Sequence, residues 1–381
     1  MQVPFNKPHL TGGETRHLER VLASGELSGN GPYTARVHAF FRERFGFRGP
    51  LLTTSCTDAL ELAALLLDLG PGDEVIIPSY TFVSTANAFV LRGARIRFAD
   101  SRPDHPNVDP AAVEALVTAR TRAIVAVHYA GVACDMDALL DVARRHGLAL
   151  VEDAAQAITS TYKGQQLGSF GDFAAFSFHE TKNVIAGEGG LLVVNDAAQH
   201  AAAEIAWEKG TNRSAFLRGE VDKYGWVSAG SSYLPSEITA AFLYAQLQAL
   251  DEIQARRLRH YGRYLDRFRA IDLAGAGIRV PVVPDYAAHN AHTFYLVCRD
   301  GAQRDGLIAY LRALGIQAAF HYLSLHRSAF YAAKHDGREL PHCDAFAARL
   351  ARLPLFYALT DPQIDGVVEA IADFLRTSPR A

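Results

Sequence analysis

Short apolar runs alternate with helical patterns over the first two thirds of the chain, and this alternation constrains the fold more than any other feature. Helical patterns follow the first four runs and separate them from one another. The runs are PLLTTS (50–55), EVIIPS (74–79), ARIRFAD (94–100), AIVAVHYA (123–130), LALVEDAA (148–155), DFAAFSFH (172–179) and GGLLVVN (189–195). Continuously apolar strands separated by helices are typical of a mostly parallel sheet with helices on both faces.

The last third of the chain has a different pattern. A long helical pattern from about residue 235 to 270 leads through VPVVPDY (280–286) to AHTFYLVCR (291–299), IQAAFHY (316–322) and further helices. Single hydrophobic cores stop growing near ~250–300 residues, so a chain of 381 residues should divide. We predict a large α/β domain over residues 1–250 and a small α+β domain over 251–381.

Composition and charge exclude several classes of protein. The formal net charge is −3, which gives no overall attraction to nucleic acid or to an anionic membrane. The four cysteines, Cys56, Cys134, Cys298 and Cys343, show no C-x-x-C spacing, and the histidines lack the H-E-x-x-H pattern. These features predict reduced thiols and no metal site. Without a long apolar run or an export signal, we expect a soluble cytoplasmic protein that binds neither nucleic acid nor membrane.

Ligands of such sheets collect beyond the carboxyl ends of the strands, and two early strand ends carry suggestive residues. Ser55, Cys56 and Thr57 begin a helix, where free N–H groups favour an anion. The alternative is a capping box in which Ser55 is the cap and the residue three positions later is its acidic partner. Tyr80 and Phe82 follow the second strand and offer flat faces for a ring, although aromatic residues are more often core.

Two later strand ends carry ionisable residues. Asp153 ends an apolar strand, where a carboxylate needs a cation or a hydrogen-bond donor, unless it is exposed or caps a helix. Lys182 lies in FSFHETKNVIAGEGG (176–190), with Ser177 upstream and a glycine cluster downstream. The simplest alternative for this lysine is a solvated loop residue.

One cofactor would use all four positions. Pyridoxal phosphate has a phosphate, an aromatic ring, a protonatable ring nitrogen and an aldehyde. A lysine Schiff base together with an aspartate on the pyridinium nitrogen is its usual signature. The GEGG stretch precedes a strand instead of opening a helix, so it is not a dinucleotide fingerprint, and no G-x-x-x-x-G-K-[ST] motif is present.

The motifs resemble one known family. SCTDALELA, GDEVIIPSYTFVSTANA, VEDAAQ, FSFHETKN with GEGG, and FHYLSLH are similar to the DegT/DnrJ/EryC1/StrS aminotransferases, which make amino sugars on nucleotide carriers. The resemblance spans nearly the whole chain, from VPFNKP to RLPLFYAL. It implies fold type I of the pyridoxal-phosphate-dependent transferases, an aspartate aminotransferase-like α/β fold. It also implies pyridoxal phosphate held covalently by Lys182, a pyridoxamine phosphate intermediate, and a homodimer with active sites at the interface.

The resemblance also implies roles for individual residues. Lys182 and Asp153 would be catalytic, Gln156 would lie near the ring hydroxyl, and Phe82 would stack on the ring. The phosphate would be bound by Cys56, Thr57 and Ser177. Many members supply an asparagine from the neighbouring subunit, and Ser232 occupies that place here.

The substrates are implied by the same resemblance, notably by EKGTNRSAFLRGEVDKY and VHYAGVACDMD. They are L-glutamate as amino donor and a dTDP-linked 4-keto-6-deoxy-hexose as acceptor, for surface glycan synthesis. His321 and Tyr322 would contact the nucleotide sugar. Four basic residues form either a diphosphate clamp or an ordinary solvated loop, and they are Lys209, Arg213, Arg218 and Lys223.

Other functions stay open at this point. An aminotransferase acting at C3 or on another nucleotide sugar would fit the same motifs. A cofactor-dependent dehydratase is disfavoured, because the family's dehydratases replace the anchoring lysine and Lys182 is present. A non-catalytic regulatory module would usually carry an added DNA-binding unit, and the chain offers no spare segment of that size.

Overall fold

The computed structural model describes residues 2–377 of the chain. Its helices are α1 (Glu14–Ser24), α2 (Pro32–Phe45), α3 (Cys56–Leu66), α4 (Val83–Val90), α5 (Pro110–Glu114), α6 (Met136–His146), α7 (His200–Trp207), α8 (Arg213–Leu217), α9 (Glu237–Gln248), α10 (Leu250–Phe268), α11 (Gly301–Ala313), α12 (Pro341–Arg349) and α13 (Asp361–Thr377). Its strands are β1 (Gly49–Thr53), β2 (Glu74–Pro78), β3 (Arg95–Ala99), β4 (Thr121–Val127), β5 (Ala149–Asp153), β6 (Thr161–Tyr162), β7 (Gln165–Gln166), β8 (Phe173–Ser177), β9 (Gly190–Val194), β10 (Ala287–Ala288), β11 (Phe294–Val297), β12 (Ala319–Phe320) and β13 (Leu350–Leu353).

A seven-stranded sheet forms the centre of the large unit, in the order β1-β9-β8-β5-β4-β2-β3. β9 runs antiparallel to both of its neighbours, and the other paired strands are parallel. Both faces are buried: Ile76 of β2 packs into one apolar cluster, while Val75 and Ile77 pack into another. This two-sided burial explains the continuous apolar runs of the sequence and confirms the predicted mostly parallel sheet.

A second sheet lies in the C-terminal part of the chain. Its strands pair antiparallel in the order β11-β13-β12, and α10, α11 and α13 pack a third apolar cluster against it. Val3 pairs with Ile316 and belongs to this third cluster, so the first residues of the chain pack against the C-terminal unit. The arrangement is the expected α+β unit, and the domain limit at residue 250 stays a prediction.

Three local features differ from the predictions. The helical pattern over 235–270 is two helices, because the chain leaves helical geometry at Ala249, whose N–H bonds to Gln246 O at 3.1 Å. Apolar periodicity does not register such a one-residue break. The helix expected near 109–119 ends at Glu114, and Thr121 Oγ1 then accepts the Thr118 N–H at 2.9 Å in a turn. The two-residue strands β6, β7 and β10 are too short for a sequence pattern to predict.

Candidate active site

A cavity of about 870 Å³ lies at the carboxyl ends of the parallel strands. One side is formed by the strand ends and the helix starts of the large sheet, and the other by residues of the small sheet and the segments before it. The predicted cofactor residues Cys56, Thr57, Phe82, Asp153, Gln156, Ser177 and Lys182 all line it, together with His321 and Tyr322. Four separate sequence motifs therefore converge on one site.

The start of α3 forms the anion-binding end of the cavity. Ser55 caps the helix through its Oγ, which accepts the Asp58 N–H at 3.0 Å, so the capping interpretation is correct for Ser55. Cys56 and Thr57 line the cavity. The N–H groups in the first turn of a helix have no hydrogen-bond partner within the helix, so they can bind a ligand. Ser177 at the end of β8 adds a hydroxyl. Burial raises the pKa of the Cys56 thiol well above its ordinary value, so this side chain is neutral.

Gly190 explains one glycine of the GEGG stretch. A Cβ at this position would lie 2.3 Å from the carbonyl carbon of Ser55 and 2.4 Å from the nitrogen of Cys56. Only glycine lets β9 approach the start of α3 this closely. The backbone contact thereby fixes the N-terminal turn of α3 next to the strand ends that carry the other polar groups.

Asp153 is buried at the end of β5, with 6% of its surface exposed. Its Oδ2 accepts a hydrogen bond from Thr85 Oγ1 at 2.6 Å, and its Oδ1 accepts the Ala155 N–H at 3.2 Å. Among the described residues no cation forms an ion pair with this carboxylate. Two hydrogen-bond donors therefore stabilise the Asp153 carboxylate, as its position at the end of an apolar strand requires. Its negative charge remains available to a cation in the cavity.

Lys182 lies in a tight loop between β8 and β9. Its N–H bonds to His179 O at 2.9 Å, and the Ala186 N–H bonds to Phe178 O at 2.7 Å. Its half-buried side chain lines the cavity, so Lys182 is not an ordinary solvated loop residue. Burial lowers the pKa of this amine below the ordinary lysine value. Nearby Arg352 lowers it further, against the opposing effects of Cys56 and Asp153. A lowered pKa favours the neutral, nucleophilic form of the amine.

The two aromatic candidates have different environments. Tyr80 is core, with 1% of its surface exposed, whereas Phe82 is 54% exposed and lines the cavity. Gln156 accepts the Ala130 N–H at 2.7 Å through Oε1 and donates to Tyr322 Oη at 3.0 Å through Nε2. Gln156 therefore links the large sheet to a residue that follows β12.

These residues fit pyridoxal phosphate. A helix start with hydroxyl groups suits its phosphate, an exposed phenyl ring suits its ring face, and a buried carboxylate suits its ring nitrogen. A lysine with a lowered pKa suits its aldehyde. Each of these groups lines the same cavity.

Three predicted residues do not line this cavity within one chain. Ser232 is exposed and forms an isolated bridge with Glu208, and Lys209 is exposed next to it. Arg213 is half-exposed and pairs with the buried Glu208 at 3.2 Å. Arg218 of the same segment pairs with Glu204 and Glu220. This pairing favours the alternative in which Arg218 belongs to an ordinary solvated loop.

Three polar residues for which the sequence predicted no role also line the cavity, namely Thr85, His292 and Arg352. Thr85 lies four residues after Thr81 at the start of α4. This helical spacing indicates that the two hydroxyl groups lie on the same face of the helix. His292 lies just before β11, and Arg352 lies within β13. In the sequence, each is a polar residue next to an apolar run, and this pattern could have indicated a functional residue. The Arg352 Nε is buried and has no hydrogen-bond partner in the described part of the chain.

The model of the DegT/DnrJ/EryC1/StrS aminotransferase family matches residues 8–372. The chain belongs to this family. A curated relative, the spore coat polysaccharide biosynthesis protein SpsC of Bacillus subtilis (strain 168), is 34% identical over 389 residues. That alignment covers 98% of this chain and 97% of the relative.

Two solved proteins also match this chain over nearly its whole length. DesV of S. venezuelae, solved in complex with a ketimine intermediate, has a TM-score of 0.89 and 33% identity. The alignment with DesV covers 99% of this chain and 100% of that chain. A putative sugar aminotransferase of Streptococcus pneumoniae, Spr1654, matches in its PMP form with a TM-score of 0.90 and 26% identity, covering 98% and 99% of the two chains. Its PLP form matches with a TM-score of 0.89.

The protein is therefore a pyridoxal-phosphate-dependent sugar aminotransferase of fold type I, with pyridoxamine phosphate as its intermediate cofactor form. Its substrates are a sugar and an amino donor. Within residues 2–377, no helix combines the length and the apolar character that crossing a membrane requires.

Proposed function

We propose that the enzyme transfers the amino group of L-glutamate to the C4 keto group of a dTDP-linked 4-keto-6-deoxy-hexose. The product is dTDP-4-amino-4,6-dideoxy-D-galactose, a precursor for surface glycans. The observation that carries the aminotransferase chemistry is the convergence of Lys182, Asp153 and the start of α3 on one cavity. The choice of sugar rests on the sequence motifs, and the name of the relative SpsC is consistent with a role in polysaccharide synthesis.

Lys182 and Asp153 would hold the cofactor at opposite ends of its ring system. Pyridoxal phosphate, when bound, supplies an electron sink for the carbon that loses its proton. The Asp153 carboxylate, oriented by Thr85 and Ala155, stabilises a proton on the ring nitrogen. Cys56 and Thr57 would bind the phosphate with their N–H groups, and Thr57 and Ser177 with their hydroxyls.

Lys182 also moves protons. Its Nζ removes the proton from Cα of glutamate in the first half of the reaction, and it delivers a proton to C4 of the sugar in the second half. A lysine whose pKa is lowered by burial has the neutral amine that the first of these steps requires. One residue therefore serves first as covalent anchor and later as base and acid.

Arg352 is suited to the carboxylate of the donor. The Nε of this arginine is buried without a partner among residues 2–377. Within the described residues, its side chain makes one hydrogen bond, a long one of 3.4 Å from Nη2 to Phe320 O. Phe5 packs under the guanidinium, whose central carbon lies 4.6 Å from the ring centre. A buried N–H without a partner is costly, and a carboxylate ligand would give this half-buried guanidinium a charge-assisted hydrogen bond.

His321 and Tyr322 would contact the sugar. His321 Nδ1 lies 2.9 Å from Tyr129 Oη, and Tyr322 Oη accepts from Gln156, so both side chains are held in place. Hexose hydroxyls need such fixed polar partners for recognition. Lys209 and Arg213 would bind the diphosphate from another subunit, since they do not line the cavity of their own chain.

An exposed apolar segment supports a homodimer with shared active sites. Trp226 is 84% exposed, and Leu217 and Val227 are also exposed in the segment that carries Arg213. Such a group of large apolar side chains is typical of an interaction surface. We infer that this segment packs on a second copy and brings Ser232, Lys209 and Arg213 to the partner's cavity.

A panel of keto-sugar nucleotides tests the proposed function. The purified enzyme, loaded with cofactor and glutamate, should aminate dTDP-4-keto-6-deoxy-D-glucose, and NMR of the product should show an axial amino group at C4. An equatorial amino group, amination at C3, or a strong preference for another nucleotide would contradict the proposed substrate. Each of these outcomes would leave the aminotransferase assignment in place.

A further inference from the structure

Residues 3–6 form a strap beside the segment that leads into β12. The Val3 N–H bonds to Gly315 O at 2.9 Å, and the Gln317 N–H bonds to Val3 O at 2.9 Å. Two residues later, the Phe5 N–H bonds to Gln317 Oε1 at 3.1 Å. These three hydrogen bonds fix the path of the strap, and the Phe5 side chain lines the cavity that also contains Lys182.

The strap ends at the loop that carries Lys182. Asn6 Nδ2 donates to Glu180 O at 3.3 Å, and Asn6 also lines the cavity. The Glu180 N–H bonds to Gly187 O at 2.9 Å, so Glu180 belongs to the same loop as the lysine. The strap therefore connects the small sheet with the lysine loop, and Phe5 lies between these two attachment points.

The Phe5 ring contacts the guanidinium of Arg352. Arg352 belongs to β13, the middle strand of the small sheet. Its guanidinium lies over the face of the Phe5 ring, with 4.6 Å between the central carbon and the ring centre. This distance is within the ~6 Å range of a cation–π interaction. Both side chains are half-buried, so water shields this interaction only in part.

Phe5 holds the cation without neutralising it. Among residues 2–377, no carboxylate forms an ion pair with Arg352, whose side chain makes only the long hydrogen bond to Phe320 O. A ring face attracts a cation but offers no anionic acceptor. A carboxylate in the same place would neutralise the guanidinium and compete with an incoming anion. The phenyl ring therefore orients the guanidinium and leaves its positive charge for a ligand.

The charge of Arg352 acts inside the cavity. After burial, it is the largest cause that lowers the pKa of His321. It also lowers the pKa of Lys182, for which burial is again the main cause. His321 and Lys182 both line the cavity. The guanidinium is therefore close to the polar groups that surround a ligand in the cavity.

We propose that Phe5 is a positioning residue for the amino donor: its ring holds the Arg352 guanidinium in the orientation that binds the donor carboxylate. This rests on the proposed role of Arg352 as the residue that binds this carboxylate. Without the ring, the long arginine side chain has more rotamers available, and binding of the carboxylate must restrict them. The loss should therefore appear in donor binding and not in the chemical step.

Phe5→Leu removes the ring face and keeps an apolar side chain. Stopped-flow absorbance of the cofactor over a range of glutamate concentrations separates the half-saturating concentration from the maximal rate. We expect the half-saturating concentration to rise about three- to tenfold. The maximal rate of this half-reaction and the KM for the keto sugar should not change. Phe5→Tyr keeps the ring face and should retain the wild-type values.

Phe330→Leu is the matched control. Phe330 is 58% exposed and also contacts a cation, since Lys334 Nζ lies 3.5 Å from its ring centre. This pair does not line the cavity. Loss of its ring should therefore leave the kinetics with both substrates unchanged. Thermal unfolding establishes that each variant is folded.

A double-mutant cycle tests whether Phe5 acts through Arg352. Phe5→Leu should raise the half-saturating glutamate concentration in the wild-type background and should have no further effect in an Arg352→Gln background. Equal effects in the two backgrounds would show that Phe5 acts independently of Arg352 and would overturn the proposal. An unchanged value in Phe5→Leu, an equal loss in Phe5→Tyr, or a loss confined to the maximal rate would overturn it as well.

The result for Arg352→Gln alone distinguishes this proposal from the function on which it rests. If Arg352→Gln raises the half-saturating glutamate concentration and Phe5→Leu does not, only the role of Phe5 is wrong. If Arg352→Gln has no effect on glutamate, the proposed donor site is wrong, and the role of Phe5 is wrong with it. The glutamate half-reaction needs no sugar, so the identity of the keto sugar does not affect the test.

Discussion

The Thr85 hydroxyl donates a 2.6 Å hydrogen bond to the Asp153 carboxylate, and it also lies 2.9 Å from the Thr81 hydroxyl. Both threonines belong to the turn in which α4 begins, directly after β2. The carboxylate on β5 is therefore oriented by the start of α4, and no cation among the described residues pairs with it. This arrangement leaves its charge to act on whatever cation enters the cavity.

Thr85→Val should slow the glutamate half-reaction by about tenfold. Valine has nearly the same shape but cannot donate, so Asp153 loses its shorter hydrogen bond. Stopped-flow absorbance of the cofactor with excess glutamate measures the rate. Thr85→Ser keeps the hydroxyl and should remain close to wild type. A wild-type rate in Thr85→Val would contradict the role of the hydroxyl, and a loss confined to Thr85→Ser would indicate a packing effect of the methyl group.

Asp153→Asn should slow the same half-reaction more severely than Thr85→Val. Asparagine preserves the shape of the side chain but removes the charge that holds a proton on the ring nitrogen. The amide also brings two donors to a place where Thr85 and Ala155 already donate. Stopped-flow rates near the wild-type value would contradict the assigned role of Asp153.

Lys182→Ala should abolish the covalent link to the cofactor and all turnover, with the fold intact. Borohydride reduction followed by mass spectrometry measures the covalent adduct, and circular dichroism measures the fold. Lys182→Arg is the control, since it keeps a positive charge without a nucleophilic amine. An adduct at the wild-type level in Lys182→Ala would exclude this residue as the anchor.

Gly190→Ala should weaken pyridoxal phosphate binding by at least about tenfold. The added Cβ would lie 2.4 Å from the Cys56 nitrogen, so the start of α3 must move away from β9. Fluorescence titration of the cofactor-free protein measures the dissociation constant. Gly262→Ala in α10, where an added Cβ meets nothing within 4 Å, should bind the cofactor normally.

The strand-end residues were predictable because of a simple property of parallel sheets. Their carboxyl ends meet along one edge, so Thr57, Asp153 and Ser177 had to lie close together once the strands were recognised. Lys182 could be added because the loop that follows β8 starts at the same edge. The fold class was predictable for the same reason, since strands that are buried on both faces have continuous apolar runs.

The remaining site residues depend on contacts that no local pattern contains. Arg352 and His292 reach the cavity only because the small sheet packs over the strand ends of the large sheet. His292 Nδ1 lies 3.0 Å from Asn183 Oδ1, and the same amide donates to the carbonyl of Asn290 at 2.8 Å. The segment with Lys209 and Arg213 lies outside the cavity of its own chain. Sequence patterns within one chain do not indicate where a second copy packs.

Arg352→Gln should raise the KM for glutamate by roughly ten- to a hundredfold, as expected for the loss of a charge-assisted contact to a carboxylate. The KM for the keto sugar should change much less. Steady-state kinetics with each substrate varied in turn measures both constants. Arg349→Gln, three residues earlier and exposed, is the control. A larger effect on the sugar than on glutamate would assign Arg352 to the nucleotide.

Two defective variants, Lys182→Ala and Arg213→Ala, should complement each other in a mixed dimer. If Arg213 acts in the partner's cavity, each active site combines Lys182 of one chain with Arg213 of the other. In a mixed dimer of Lys182→Ala and Arg213→Ala chains, one site carries both defects and the other carries none. Random pairing makes half of the dimers mixed, so about a quarter of all sites should regain wild-type kinetics.

The two variants are to be unfolded and refolded together, or co-expressed with different tags, and assayed at limiting nucleotide sugar. Arg213→Ala alone should show a KM for the sugar raised about tenfold, because one phosphate contact is lost. Arg218→Ala, an exposed arginine of the same segment that is paired with Glu204 and Glu220, should behave as wild type. If Arg213 acts in its own chain, the mixture shows only the sum of its parts, since no site combines an intact Lys182 with an intact Arg213.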